Sequence, residues 1–243
     1  MGAEPPLPEA VLFDLGNTLV AYWERAQWPA VLHGAIEETM RFLAREGRLR
    51  VSADTVWQRV EGHNHELPGH RVYPLQERLV GIFGLAREEE VLLNEACWRF
   101  LAPMFARGQP YADVLPTLAA LRNAGVKTAI VSNSPWGSPA ALWREEIERL
   151  GLRQQVDADV FCGDVGWRKP ARPIFDLALR KLDVAPDRCL FVGDDPRWDL
   201  VGPRALGMRA LLIDRTGRLA APDECPIQSL DPLWGQLGLP SRQ

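Results

Sequence analysis

The sequence predicts an α/β protein, a parallel β-sheet with helices on both faces that carries a helical bundle inserted after its first strand. Three observations predict it. A short, wholly apolar run at residues 11–13 ends in Asp14 and a Gly16-Asn17 turn, as a central strand covered on both faces should. From Thr18 to about residue 106 no strand pattern recurs, and helical periodicity appears four times. Beyond Asp113 helix and strand alternate, which implies parallel strands joined by helical crossovers.

Each element has its own signal. Asp14 falls at the carboxyl end of the first strand, the edge at which open parallel sheets bind ligands, and a carboxylate there can act as a nucleophile. Taken alone, it can equally cap the turn. Leu32, Ala35, Ile36, Met40 and Leu43 then share one helical face that stops at Gly47, and Ser52 caps a second helix carrying Val56 and Val60. A third helix is expected over about 74–84 and a fourth over about 88–106, with Leu92, Ala96 and Phe100 aligned. Four successive helices suggest a small bundle. Between the second and third lies the polar stretch GHNHELPGHRVYP with His63, His65 and His70.

In the second half, a helix through Val114, Leu118 and Leu121 stops at Gly125, and a strand over 126–131 runs into Ser132-Asn133. Ser138-Pro139 opens the next helix in the favoured cap-then-proline order, with Trp143, Ile147 and Leu150 on one face. Further strands are expected over 160–162, 189–192 and 210–213, with a helix marked by Ile174, Leu177, Ala178 and Leu182.

Composition narrows the function. At 243 residues the chain accommodates a domain of ordinary size with an insertion, and 47% hydrophobic with 25% charged residues is ordinary globular composition. A net charge of -4 gives no support to a nucleic-acid or membrane-surface role. The four cysteines, Cys97, Cys162, Cys189 and Cys225, are scattered and read as reduced core thiols. With no basic-then-apolar leader and no apolar run of bilayer length, a cytoplasmic location is expected. Nothing in the sequence specifies an oligomeric interface.

The polar residues at strand ends carry the chemistry. Asp14, Ser132 and Asp194 each lie at or just past a strand, and Lys169 follows one by a short loop, so all four can converge on one sheet edge. Ser132, Asn133 and nearby backbone N–H groups suit an anion such as phosphate. Lys169 is one of only three lysines, with Lys127 and Lys181, and its compact ammonium can balance a carboxylate and a phosphate together. In GDDPRWD, the like charges of Asp194, Asp195 and Asp199 repel unless a cation sits among them, and oxygen ligands suit Mg²⁺. Singly, these features also read as a turn serine, a surface lysine and an acidic helix start.

Together and in this order, FDLGNTL, IVSNS, RKP and VGDDPRWD resemble the haloacid dehalogenase superfamily over residues of about 10–20 and 111–214. The resemblance implies a Rossmann-like core formed by residues 1–20 and 107–243, a helical cap formed by residues 21–106, and hydrolysis through an aspartyl intermediate. It further implies that Asp14 is the nucleophile, that Ser132, Asn133 and Lys169 bind phosphate and balance charge, and that Asp14, the Gly16 carbonyl and Asp194 form the Mg²⁺ site with Asp199 as a direct ligand or one step behind the ligands. The expected activity is a phosphatase acting on a small phosphorylated metabolite, with the cap residues Tyr22, Trp23 and Trp28 and the histidine loop setting specificity. Trp136 is a further aromatic to watch.

One position departs from the family pattern. Phosphatases and phosphomutases of this kind carry a second Asp two residues after the nucleophile, and here Gly16 stands there. That group protonates the leaving oxygen and activates water, work of about 10²–10⁴ in rate. Its backbone carbonyl can still bind metal. Substrates with good leaving groups (acyl, glycosyl-1 or aryl phosphates), or an acid borrowed from His63, His65 or His70, would answer the lack. Gly16 counts against a phosphomutase, and the lack of lysine in residues 21–110 excludes a phosphonoacetaldehyde-type Schiff base. Two alternatives remain: a metal-independent 2-haloacid dehalogenase, which needs no acid, and a non-catalytic protein that binds a phosphate ligand.

Overall fold

The computed structural model describes residues 7–218 and 224–236. The chain enters through β1 (Ala10–Phe13), whose four residues are all buried. It then passes the Gly16-Asn17 turn to reach β2 (Val20–Ala21). Four helices follow: α1 (Trp28–Arg45), α2 (Ala53–His63), α3 (Leu75–Phe83) and α4 (Glu90–Phe105). The Ser52 hydroxyl accepts from the Thr55 amide at 3.2 Å, capping α2 as its sequence predicts. Gly84, in the left-handed conformation, ends α3. The chain returns through β3 (Gln109–Pro110), which pairs antiparallel with β2, so the helical insertion leaves and rejoins the sheet through a two-stranded neck.

Beyond the neck come α5 (Val114–Asn123), β4 (Lys127–Ser132), α6 (Ala140–Arg149), β5 (Ala158–Phe161), α7 (Cys162–Val165), α8 (Arg172–Leu182), β6 (Cys189–Gly193), α9 (Val201–Ala205), β7 (Arg209–Leu212) and α10 (Asp231–Gln236). Five strands form one parallel sheet in the order β5-β4-β1-β6-β7. Alternate residues of β1 face opposite layers, as strand geometry requires. Val11 and Phe13 join the apolar layer that contains Leu118, Leu121 and Ile147, while Ala10 and Leu12 join the one that contains Ile174, Phe175 and Phe191. The expected α/β fold with a parallel sheet is thus present.

Within the insertion, α1 packs along α4, and α3 bridges α2 and α4. The loop between α2 and α3 also reaches the sheet domain. The Val72 amide donates to the Gly166 carbonyl at 2.9 Å and the Arg168 amide to the His70 carbonyl at 2.8 Å. Arg78, fully buried, donates to the carbonyls of Tyr73 and His63 and lies 5.0 Å from the Trp136 ring centre. Trp136 is itself buried, stacked on Phe100 and donating to Asn64, so it joins the insertion to the core and does not line the cavity described below.

Local readings need four corrections. Pro139, not Ser138, precedes α6, because the Ser138 hydroxyl is taken as acceptor by the Trp143 indole at 2.8 Å. The third long strand of the sheet closes at Phe161, and Cys162 begins a short helix that ends at left-handed Gly166. The last strand starts and ends one residue early. Cys97, Cys162 and Cys189 are buried thiols, but Cys225 is exposed.

Candidate active site

Parallel pairing brings the polar strand ends together. Phe13 is level with Ile130 on one side and Val192 on the other, so Asp14, Ser132 and Asp194 emerge at the same edge. Lys169 arrives from the loop between α7 and α8 and is 1% exposed. Its ammonium lies 2.5 Å from Asp14 Oδ1 and 2.7 Å from Asp199 Oδ1, and the Ser132 hydroxyl donates to the same Asp14 oxygen at 3.1 Å. Burial alone would lower the lysine's proton affinity, but the Asp14 and Asp199 carboxylates outweigh it and hold Lys169 charged, well above its ordinary value.

The neighbours of these groups are arranged to hold them. The Asn133 side chain brackets the Lys169 backbone, accepting its N–H at 2.8 Å and donating to its carbonyl at 3.3 Å. That side chain is therefore committed to positioning the lysine. Asp199 accepts from the Asp195 amide at 3.0 Å through its other oxygen. The π-helical turn Pro196–Leu200 carries Asp199 back beneath Gly193, where a Cβ would collide with the Asp199 side chain. Glycine at 193 is what allows this approach. Asp195 caps the turn and is paired with Arg25 and Arg197, whose charges overcome its partial burial and hold its carboxyl below the ordinary range.

Asp14, Asp194 and Asp199 bring carboxylate oxygens within 4.8 Å of one another. Burial, then the charges of Asp14 and Asp199, push the Asp194 carboxyl well above its usual range. Asp199 is pushed up to about 6, chiefly by burial and against the opposing pull of Lys169. Such a cluster of hard oxygen donors with too few counter-charges is suited to a divalent cation. Gly16 adjoins it at the turn and lines the same cavity.

That cavity has a volume of about 780 Å³ and opens over Asp14. Tyr22, Trp23 and Trp28 line it, as their position after the first strand suggests. The Tyr22 phenol donates toward Glu146 at 3.4 Å, and burial followed by that carboxylate's charge pushes it well above its usual range. Sequence reasoning did not find Arg25, Tyr111, Trp198 and Arg215, which also line the cavity. Only Trp198 had a signal, being part of GDDPRWD.

The histidine loop is not part of this cavity. None of His63, His65 and His70 lines it. His63 is bonded to the Tyr73 hydroxyl at 2.7 Å, His65 to the Gly62 carbonyl at 2.9 Å, and His70 meets the edge of Trp198. The backbone pairing of residues 70–72 with 166–168 holds the loop outside the cavity lining, so none of the three histidines faces the space above Asp14.

A buried sheet-edge carboxylate beside a buried lysine, under a cavity walled partly by an inserted helical segment, defines a hydrolase class. The haloacid dehalogenase-like hydrolase family model matches residues 8–207. The chain is 30% identical over 225 residues to a phosphoserine phosphatase of Thermus thermophilus, covering 91% of this chain and 87% of that protein. It is 32% identical over 217 residues to a ribulose-1,5-bisphosphate 5-phosphatase of Halopiger xanaduensis, covering 84% of each. Among solved structures, a HAD phosphatase from Thermococcus onnurineus superposes with a TM-score of 0.64 at 25% identity, covering 94% of this chain and 97% of that one. The protein belongs to the haloacid dehalogenase-like hydrolases. Among the described residues no helix is long and apolar enough to cross a membrane.

Proposed function

We propose that the protein is a Mg²⁺-dependent phosphatase that hydrolyses a small phosphate monoester through an aspartyl-phosphate on Asp14. The observation that carries the reading is the paired state of Asp14. Ser132 and Lys169 both hold Oδ1, which leaves Oδ2 as the attacking oxygen at the floor of the cavity. Attack on phosphorus forms the acyl phosphate while the bond to the leaving oxygen breaks, and that oxygen departs with the bonding electrons. Water then cleaves the acyl phosphate to inorganic phosphate and restores the carboxylate. Lys169 and Ser132, with backbone N–H groups at Asn133, balance and orient the transferring group. Asp199 and the Asn133 side chain act on the reaction through Lys169.

Asp14 and Asp194, with the Gly16 carbonyl, would hold Mg²⁺, and Asp199 sits in the same cluster with both oxygens already engaged. The ion supplies neutralisation of the anionic phosphoryl group. Residues 21–106 act as the cap, a reading supported by Tyr22, Trp23 and Trp28, which line the cavity together with Asp14. The phosphatase names of relatives that cover most of this chain agree with this reading.

Gly16 favours a second reading, the 2-haloacid dehalogenase, because halide leaves without a proton. Asp194 weighs against it, since it would add an uncompensated charge beside Asp14. The deciding experiment is hydrolysis of 4-nitrophenyl phosphate by the wild type and Asp14→Asn, each with Mg²⁺ and with a chelator. Turnover that needs both the metal and Asp14 is expected. Halide release from 2-haloacids without phosphatase activity would replace this reading with the second.

A further inference from the structure

The cavity has two halves of different chemistry. At its floor lie Asp14, Ser132, Lys169 and the acidic cluster. Another part of its wall is aromatic. The Trp23 ring centre lies 5.5 Å from that of Tyr22 and 5.6 Å from that of Trp28, so the three rings form a continuous apolar ribbon, and Tyr111 and Trp198 face the same space. Trp23 and Trp28 are only partly buried, which leaves ring surface open to a ligand.

The basic side chains that line the cavity are already engaged. Arg215 donates to Asp113 at 2.5 Å and to the Thr18 carbonyl at 2.7 Å, and Arg25 is paired with Asp195. Arg218 lies 3.3 Å from Glu24, and Lys169 is held by Asp14 and Asp199. Each of these cations has an acidic partner, which a second anionic group on the substrate would have to displace. Arg25 and Arg218 are exposed and could turn to one at small cost, so the test below includes such a substrate.

The leaving oxygen also lacks the acid that the family carries at position 16, and neither a histidine nor Tyr22 takes its place. Gly16 has no side chain, no histidine lines the cavity, and the Tyr22 hydroxyl is directed at Glu146. Without that acid, a leaving oxygen that can depart as an anion is favoured, and a phenolate does so far more readily than an alkoxide.

We infer that the leaving-group half of the cavity binds an aromatic ring on the Tyr22–Trp23–Trp28 ribbon, and that the substrates are aryl phosphates. This inference rests on the phosphatase reading and narrows it. A single or fused ring fits a cavity of about 780 Å³ together with the phosphate.

The test compares kcat/KM of the Mg²⁺-loaded enzyme on three substrates. Phenyl phosphate carries a ring. Hexafluoroisopropyl phosphate has a leaving alcohol about as acidic as phenol but no ring. O-phosphoserine has a poor leaving group and an extra carboxylate. Phenyl phosphate should exceed the hexafluoroisopropyl ester by about tenfold, the worth of ring stacking in such a site, and O-phosphoserine by much more. Trp23→Ala and Trp28→Ala should each erase most of the phenyl over hexafluoroisopropyl preference. Equal rates on those two esters, or phosphoserine turned over as well as phenyl phosphate, would overturn this inference alone. No turnover of any of the three would overturn the phosphatase reading with it. The wild-type comparison does not depend on the tryptophan variants folding.

Discussion

Replacing Gly16 with Asp tests whether the missing side chain governs which leaving groups the enzyme handles. Gly16 has no left-handed backbone angle, and a Cβ built there meets only Tyr22 Cδ2, at 3.9 Å, an ordinary contact. The substitution therefore carries little steric cost, and loss of glycine's freedom in the unfolded chain offsets part of any electrostatic penalty. A general acid contributes about 10²–10⁴ in rate where the leaving oxygen needs a proton, and almost nothing where it does not. Taking the lower end of that range, the expected result is a gain of about 10² in kcat on O-phosphoserine and less than about threefold on 4-nitrophenyl phosphate. Steady-state kinetics of Gly16→Asp and wild type on both substrates at saturating Mg²⁺ gives the ratio. An equal change on both, or a fall on O-phosphoserine, would refute the argument that acid catalysis is what Gly16 removes.

The Gly193→Ala variant should lose activity by more than tenfold and be destabilised by about 1–3 kcal/mol, because its Cβ displaces Asp199 and with it the second partner of Lys169. Gly34→Ala in α1, where a Cβ meets nothing, should be neutral or stabilising by up to about 1 kcal/mol, and denaturant midpoints of the two variants check the contrast. The metal-free protein should lose stability as pH rises from about 4 to about 6. Asp199, whose carboxyl burial pushes up to about 6 in the fold, binds its proton more tightly when folded than when unfolded, so its contribution to stability is lost as the pH rises through that window. Asp194 shifts the same way. Mg²⁺ competes with those protons, so it should raise the thermal midpoint more at pH 7 than at pH 5, and an equal shift at both would count against the site.

What the sequence made legible was what strand ends make legible. An apolar run followed by a polar residue locates that residue at a sheet edge, and Asp14, Ser132 and Asp194 were placed this way, while the parallel order of the strands made them converge. Lys169 was found through the scarcity of lysine and its following proline. Arg25, Tyr111 and Arg215 carried no such mark, since they meet the cavity only through the neck and through pairs separated by a hundred or more residues, such as Arg215 with Asp113. The π-helical turn that carries Asp199 under Gly193 has no propensity signal. The histidine loop misled for the opposite reason: its composition suggests chemistry, but backbone bonds between distant segments decide where it lies.

The charges at the site tie the nucleophile and the metal into one proposal. Asp195 is neutralised by Arg25 and Arg197, so the groups facing the phosphate position are Asp14, Asp194 and Asp199 against Lys169 alone. When all are ionised, that set carries an excess of two negative charges, and a phosphate monoester brings about two more. Like charges at such separations in a partly buried site disfavour binding by several kcal/mol. Without a cation, burial and mutual repulsion push Asp194 and Asp199 toward protonation, and a protonated cluster is a poor environment for a phosphate-transferring carboxylate. A divalent ion removes the excess without protonating Asp14. If Asp14 is the nucleophile for a phosphate ester, the site therefore needs the cation, and chelation should abolish turnover without disturbing the Ser132 and Lys169 contacts that hold Asp14 in place.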